Sequence, residues 1–114
     1  QVAERLLREV DALYIPTDNT LSSAATTVGE LAIEHQIPIV AGSIDHTADG
    51  GLATYGIDYY SLGQQTGKMA IDILKNETLP MDIPVETAEE LELFVNEEMA
   101  ESLGIDPKTI QIEE

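Results

Sequence analysis

Three short apolar runs, each closed by polar residues that can begin a helix, constrain this chain more than any other feature. Ala12-Leu13-Tyr14-Ile15 is introduced by Asp11 and ended by Pro16. Ile39-Val40-Ala41 follows Ile37-Pro38 and leaves through Gly42-Ser43. Leu52 to Ile57 runs into Asp58. Runs this short, bounded by turn residues, read as strands, the first two buried on both faces. Behind the first come Thr17-Asp18-Asn19-Thr20, all four able to cap a helix. Ala24, Ala25, Val28, Leu31 and Ala32 then recur at helical spacing to about His35, and Ile37-Pro38 breaks that helix. Asp58 is a good N-cap for a helix over about 60–75, with Leu62, Thr66, Met69, Ala70 and Ile73 along one face. This alternation predicts an α/β fold whose sheet is mostly parallel and flanked by helices.

The remaining segments fit around that frame as one partial domain over 1–114. Residues 2–9 predict a short amphipathic helix, with Val2 and Leu6 on one face and Glu4 set to pair with Arg8. The polar stretch from Ile44 to Gly51 reads as a loop. Gly63 and Gly67 are costly inside a helix, and their spacing predicts close packing against the sheet. Pro80 and Pro84 mark 81–85 as an extended surface segment. Thr87-Ala88-Glu89-Glu90 has the form of a capping box and predicts a single helical turn. Leu91 to Val95 alternates like a half-buried strand. Asn96 caps a last helix with Glu97 and Glu98 in its positive first turn. Met99 and Leu103 face inward, and Gly104 and Pro107 end it. Residues 105–114 are expected to form an acidic, mobile tail.

Composition narrows the function. There are 22 acidic residues against five Lys and Arg, a formal net charge of −17. Such a surface repels phosphate backbones and anionic membranes, which argues against a nucleic-acid partner. The few aromatics (four Tyr, one Phe, no Trp) form no stacking platform for bases. Two readings of the charge stay open, a solubilising surface and a saline or alkaline source. With no cysteine there is neither a disulfide nor a thiolate metal site. No apolar run approaches the ~20 residues of a membrane span. The opening Gln1-Val2-Ala3-Glu4-Arg5-Leu6-Leu7-Arg8 reads as the middle of a helix, without a signal peptide, so the sequence reads as a piece of a longer protein.

In open α/β sheets, ligands bind beyond the carboxyl ends of the strands. Three segments are expected there: Thr17-Asp18-Asn19-Thr20, Gly42-Ser43-Ile44-Asp45 and Asp58-Tyr59. Helix N-termini present N–H groups to a carboxylate, and Asp18 and Asp58 offer negative charge to an ammonium. Together they suit a zwitterionic small molecule. Capping is the competing reading for Asn19, Thr20 and Asp58. Asp18 is less easily explained as a cap with Asn19 and Thr20 beside it. Catalysis finds little support. His35 ends a helix, and His46 falls in a polar loop with no recognisable Ser or Cys nucleophile near it. Asp45, His46 and Asp49 are too loosely spaced for a metal site and read as solvated. There is no phosphate-binding glycine loop, and Lys68 and Lys75 read as surface residues. Neither an enzyme, a cofactor nor a metal ion is expected.

The same segments carry a family resemblance. Asp11-Ala12-Leu13-Tyr14-Ile15-Pro16-Thr17-Asp18-Asn19-Thr20 and Ile37-Pro38-Ile39-Val40-Ala41-Gly42-Ser43 resemble successive strands of the ABC substrate-binding proteins related to tryptophan- and tyrosine-binding lipoproteins. The most specific stretch is Leu52-Ala53-Thr54-Tyr55-Gly56-Ile57-Asp58-Tyr59-Tyr60-Ser61-Leu62-Gly63-Gln64-Gln65-Thr66-Gly67-Lys68-Met69-Ala70. Ile83-Pro84-Val85-Glu86-Thr87 and Leu93-Phe94-Val95-Asn96 also fit, in the same order. The resemblance implies part of the C-terminal lobe of a type I periplasmic-binding-protein fold, in which two α/β lobes close on a ligand. It implies capture of an amino acid at the extracellular face of the membrane or in the periplasm, by a secreted or lipid-anchored parent, and delivery to an ABC permease. Carried over by position, Thr17, Asp18 and Asn19 follow the third strand of that lobe, Ser43 the fourth and Asp58 the fifth, as ligand contacts, with Tyr59 lining the cleft or hinge. Asp18 is then the candidate for the ammonium group. The N-terminal lobe and the first two strands of the C-terminal lobe have no counterpart in these residues. That leaves the 12–15 strand with an exposed apolar edge, which invites pairing with another copy. A ligand-sensing regulatory domain on the same fold is the alternative.

Overall fold

Leu13–Ile15 (β1), Ile39–Ala41 (β2), Ala53–Ile57 (β3) and Leu91–Val95 (β4) form one sheet in the order β1-β2-β3-β4. β1, β2 and β3 run parallel, with Leu13, Tyr14 and Ile15 opposite Ile39, Val40 and Ala41, and Val40 opposite Ala53. The helices are Val2–Leu6 (α1), Asn19–Ser22 (α2), Ala25–His35 (α3), Ile44–Gly50 (α4), Tyr59–Lys75 (α5) and Glu97–Ser102 (α6). This is the expected mostly parallel α/β arrangement, with β1 at one edge of the sheet. The computed structural model describes residues 1–113. Glu114, the last residue of the expected acidic tail, lies outside the described residues. The chain divides into two compact units, Gln1–Gly56 with Leu93–Glu114, and Ile57–Glu92.

In the first unit the core gathers Leu7, Ile15, Ala32, Ile39, Leu52, Ala53, Met99 and Ala100, with Leu13, Val28, Leu31 and Val95 packed around them. Alternation along β1 and β2 sends Leu13, Ile15, Ile39 and Ala41 to one face of the sheet. The register partners Tyr14 and Val40 share the other face and remain 65% and 45% exposed. The expectation that these strands are buried on both faces is therefore corrected. The core residues of α3 and α6 gather with Ile15 and Ile39, while on the other face Ala53, opposite Val40 in register, is 6% exposed.

Several local expectations need revision. α1 stops at Leu6 instead of residue 9, although Glu4 and Arg8 do pair, at 3.9 Å on the surface. The helix expected behind Thr17–Thr20 is two helices, α2 and α3, separated at Ser23-Ala24. The polar stretch expected as a loop is α4. Its polarity hid the helix because its inward-facing groups are hydrogen-bonded rather than apolar. Thr47 is fully buried, and its hydroxyl donates to the Ser43 carbonyl at 2.9 Å. Asn96 Nδ2 donates to the Thr47 carbonyl at 3.0 Å. α3 and α4 cross at Gly29 and Gly50, where a Cβ added to Gly29 would stand 2.7 Å from the Gly50 Cα. Asn96 caps α6 as expected, its Oδ1 accepting from the Met99 N–H at 3.1 Å. Gly104 follows with a φ of +69°, which glycine tolerates best. Ile105 and Ile110 lie half-buried against the core.

The second unit is organised by one polar side chain. Gln65 on α5 is 8% exposed. Its Nε2 donates to Glu86 Oε2 at 2.7 Å and to the Thr87 carbonyl at 3.0 Å, and its Oε1 accepts from the Glu89 N–H at 3.3 Å. Those contacts take the backbone groups a turn at 87–90 would use, and the expected capping-box turn does not form. A short 3₁₀ turn at Pro80–Asp82 precedes this segment instead. Leu91 and Leu93 of β4 are exposed rather than half-buried. Gly63 and Gly67 are corrected too, since a Cβ added at either meets nothing within 4 Å. Replacing Gln65 with alanine leaves the 86–89 segment held by nothing comparable. We expect a local loss of about 1–2 kcal/mol, read as faster hydrogen exchange at the Glu89 amide, with the amides of α5 near Lys75 unchanged.

Candidate functional site

The turn after β1 is shaped by Pro16 and by Asp18, whose backbone is extended and whose side chain caps α2. Asp18 Oδ1 accepts from the Thr20 N–H at 2.8 Å and the Leu21 N–H at 3.0 Å. Asp18 is thus the cap itself, and Asn19 and Thr20, the residues expected to cap, form the first turn of α2. The two N–H groups expected to be available to a ligand carboxylate are taken by Asp18. Its second oxygen, Oδ2, has no hydrogen-bond partner among the described residues, and Thr17, Asp18, Asn19 and Thr20 are all exposed. The turn therefore presents one carboxylate oxygen without a partner among the described residues, held in place by two bonds to its twin, at the carboxyl end of β1.

The turn after β2 lies close behind. A Cβ on Gly42 would stand 2.8 Å from the Thr17 nitrogen and 2.9 Å from its Oγ1, so only a glycine lets the two strand ends approach this far. Ser43 caps α4, its Oγ accepting from the His46 N–H at 3.3 Å. The same Oγ stands 2.6 Å from His46 Nδ1, and His46 Nε2 stands 3.1 Å from the Asp18 carbonyl oxygen. Ser43 is 4% exposed and His46 6%. The Asp18 carbonyl can only accept, so Nε2 carries a proton, and in the neutral ring Nδ1 then accepts from the Ser43 hydroxyl. Ser43 therefore stands behind the turn, joined to it through His46. The expectation that His46 is solvated in a loop is corrected. Ser43-x-x-His46 is the spacing of a cap and its third helical residue, but that signal is readable only once α4 is recognised as a helix.

The remaining candidates belong to the second unit. Asp58 caps α5, its Oδ1 accepting from the Tyr60 and Ser61 N–H groups at 2.9 and 3.4 Å. Its Oδ2 stands 2.8 Å from the Ser61 hydroxyl, which also lies 2.9 Å from Glu90 Oε2. The Ser61 hydroxyl holds the Asp58 carboxyl below the usual carboxylate range, opposed by desolvation and helped by the two backbone N–H groups. Both Asp58 oxygens are committed to starting α5. Tyr59, the first residue of that helix, is 56% exposed. A groove of about 250 Å³ between α3, α4 and α6 is lined by Glu30, Asp49, Asn96 and Met99 among others. It includes none of the candidate residues, and its position at a helix crossing lacks the strand ends where α/β sheets bind ligands.

Comparison with known proteins gives a consistent set of relatives. Residues 1–111 match the family described as ABC transporter substrate binding protein. The chain is 39% identical over 105 residues to a tyrosine-binding protein of Clostridioides difficile (strain R20291), covering 92% of this chain and 30% of that protein. The ligand-free, open structure of CD0873, a substrate-binding protein with adhesive properties from Clostridium difficile, matches with a TM-score of 0.78 and 38% identity. That match covers 93% of this chain and 36% of the other. An ABC domain from Streptococcus pneumoniae in complex with L-Trp matches with a TM-score of 0.77 and 33% identity, over 92% of this chain and 35% of the other. The chain thus spans about a third of the length of the relatives it matches.

Proposed function

The chain belongs to the ABC transporter substrate-binding protein family, and we propose that it forms part of a solute-binding protein that captures an aromatic amino acid and hands it to an ABC permease. The relatives support the ligand class, since one binds tyrosine and another holds L-Trp. The observation that carries the reading is the unpartnered, exposed Oδ2 of Asp18 at the carboxyl end of β1. A carboxylate fixed by its own cap needs little reordering to accept a ligand ammonium, and preorganisation of this kind favours affinity. Thr17 and Asn19 flank it as further polar contacts, and Ser43 acts indirectly through His46. Capture takes place on the outer side of the membrane. No described helix is long and apolar enough to cross a membrane. A secreted or lipid-anchored parent is part of the same reading. The edge of β1 is where a further strand adds, from a second copy or from the rest of the protein.

Binding without turnover also fits the one arrangement that superficially resembles a catalytic pair. Ser43 and His46 are hydrogen-bonded, but both are buried, and the second imidazole nitrogen faces a backbone carbonyl instead of a carboxylate. Among the described residues no carboxylate is hydrogen-bonded to the ring, so the orienting partner of a catalytic triad is missing.

Asp18→Asn is the direct test. Asparagine caps helices as well as aspartate, so α2 keeps its start. The charge, however, is gone. In the full-length protein, L-tyrosine or L-tryptophan affinity by calorimetry is expected to fall roughly 10- to 100-fold, as for loss of a charged hydrogen bond, with the melting temperature of the ligand-free protein unchanged. Equal affinity in the variant removes Asp18 from the site.

A further inference from the structure

We infer that His46 is a positioning residue for ligand capture: its imidazole ties the Asp18 turn to the turn after β2 and so fixes where the Asp18 carboxylate stands. The inference rests on the ligand reading above and adds a residue to it. Among the described residues, the bond from His46 Nε2 to the Asp18 carbonyl is the one side-chain hydrogen bond joining residues 17–20 to another part of the chain. The other bonds of the turn are local, from Thr20, Leu21 and Ser22 to Asp18 and from Ser23 to Asn19 and Thr20. Such bonds give the turn its internal shape but leave its place on the sheet to the short strand β1, to the close approach of Thr17 to Gly42 and to this link.

The imidazole is itself held at every polar point. Nδ1 accepts from Ser43, Nε2 donates to Asp18, and the His46 backbone N–H donates to Ser43 Oγ. The Asp18 carbonyl is saturated as well, accepting from the Ser22 N–H at 2.9 Å and from His46 at 3.1 Å. A ring so anchored has one orientation. It transmits the rigidity of β2 and α4, whose residues Ile39, Ala41 and Thr47 are buried, to a turn whose own side chains all face solvent. A positioning residue of this kind lowers the cost of ordering the site on binding.

The two imidazole nitrogens can be separated by substitution. A glutamine amide reaches about as far as Nε2 and an asparagine amide about as far as Nδ1. His46→Gln keeps the link to Asp18, His46→Asn keeps only the link to Ser43, and His46→Leu removes both. In the full-length protein titrated with L-tyrosine and L-tryptophan, His46→Gln is expected to bind within a few-fold of the parent. His46→Asn and His46→Leu are expected to bind about tenfold more weakly, the effect of one lost hydrogen bond. The Thr20 and Leu21 amides should exchange faster in the Asn and Leu variants than in the Gln variant. If Asn and Gln bind alike, or if affinity follows melting temperature across the three, His46 is a packing residue and the inference falls. If the parent binds neither amino acid, the ligand reading fails instead. Amide exchange then decides whether His46 fixes the turn, and unchanged exchange in His46→Asn overturns it.

Discussion

Replacing Gly50 with alanine is expected to destabilise the first unit by about 3 kcal/mol. The new methyl group would overlap the carbonyl oxygen of Ala25 and stand 2.9 Å from its carbonyl carbon and 3.3 Å from the Gly29 Cα. All three are backbone atoms, so no side chain can swing aside, and α3 and α4 must separate. Gly50 is the last residue of α4, where the better helix propensity of alanine offsets little. The same substitution at Gly63 supplies the control. An added Cβ there meets nothing within 4 Å, so alanine in the interior of α5 is expected to gain up to about 1 kcal/mol. Urea unfolding reads both, as midpoint shifts of opposite sign at unchanged slope. A neutral Gly50→Ala would mean that α3 and α4 do not cross closely there. The outcome bears on the site as well, because α4 carries Ser43 and His46 at its start and any displacement of the helix reaches the Asp18 turn.

The contrast between these glycines marks the limit of what the sequence discloses. Gly63 and Gly67 sit at a spacing that suggests packing, yet their surroundings are open. Gly29 and Gly50 lie 21 positions apart in elements that give no sign of meeting, one of them read as a loop. Features governed by near neighbours were legible. Asp58 and Asn96 cap the helices they precede, Gly104 ends α6, and the apolar runs at 13–15, 39–41 and 53–57 are parallel strands. Features governed by tertiary contact were not. The helix α4 hides because Thr47 and His46 are buried through hydrogen bonds and so leave no apolar period to find. The 87–90 capping box fails because Gln65 on α5, 22 residues before Thr87, takes its backbone groups.

The candidate site divides along the same line. The exposure of Thr17, Asp18 and Asn19 follows from a polar turn at a strand end, and sequence reasoning reaches it. Ser43 is hydrogen-bonded to His46, whose other nitrogen meets a carbonyl 28 residues away. That link cannot be seen from spacing. Asp18 is instructive because the capping role, the reading that sequence reasoning set lower for it, is the one observed. One oxygen caps α2, and the other is left unpartnered.

Ile39→Ala is expected to cost about 2–5 kcal/mol, and its comparison with Val40→Ala tests how the sheet is covered. Ile39 is 1% exposed on β2, between β1 and β3, with its carbonyl accepting from the Leu52 N–H at 2.7 Å. Truncation leaves a cavity bounded by strand backbone, Ile15 and Ala32, none of which can collapse into it without breaking the parallel ladder. Val40 is adjacent in sequence, opposite Tyr14 in register, and 45% exposed on the other face. Its truncation removes little buried surface and should stay within about 0.5 kcal/mol. A large difference between the two variants in this chain means that Ile39 packs into the core and Val40 does not. If Val40→Ala proves as costly in the full-length protein while remaining mild in the isolated chain, the remainder of that protein covers the Tyr14 and Val40 face. The strand carrying Ser43 toward the site would then be clamped from both sides. That would favour a rigid support for the Asp18 turn over one that adjusts as the ligand arrives.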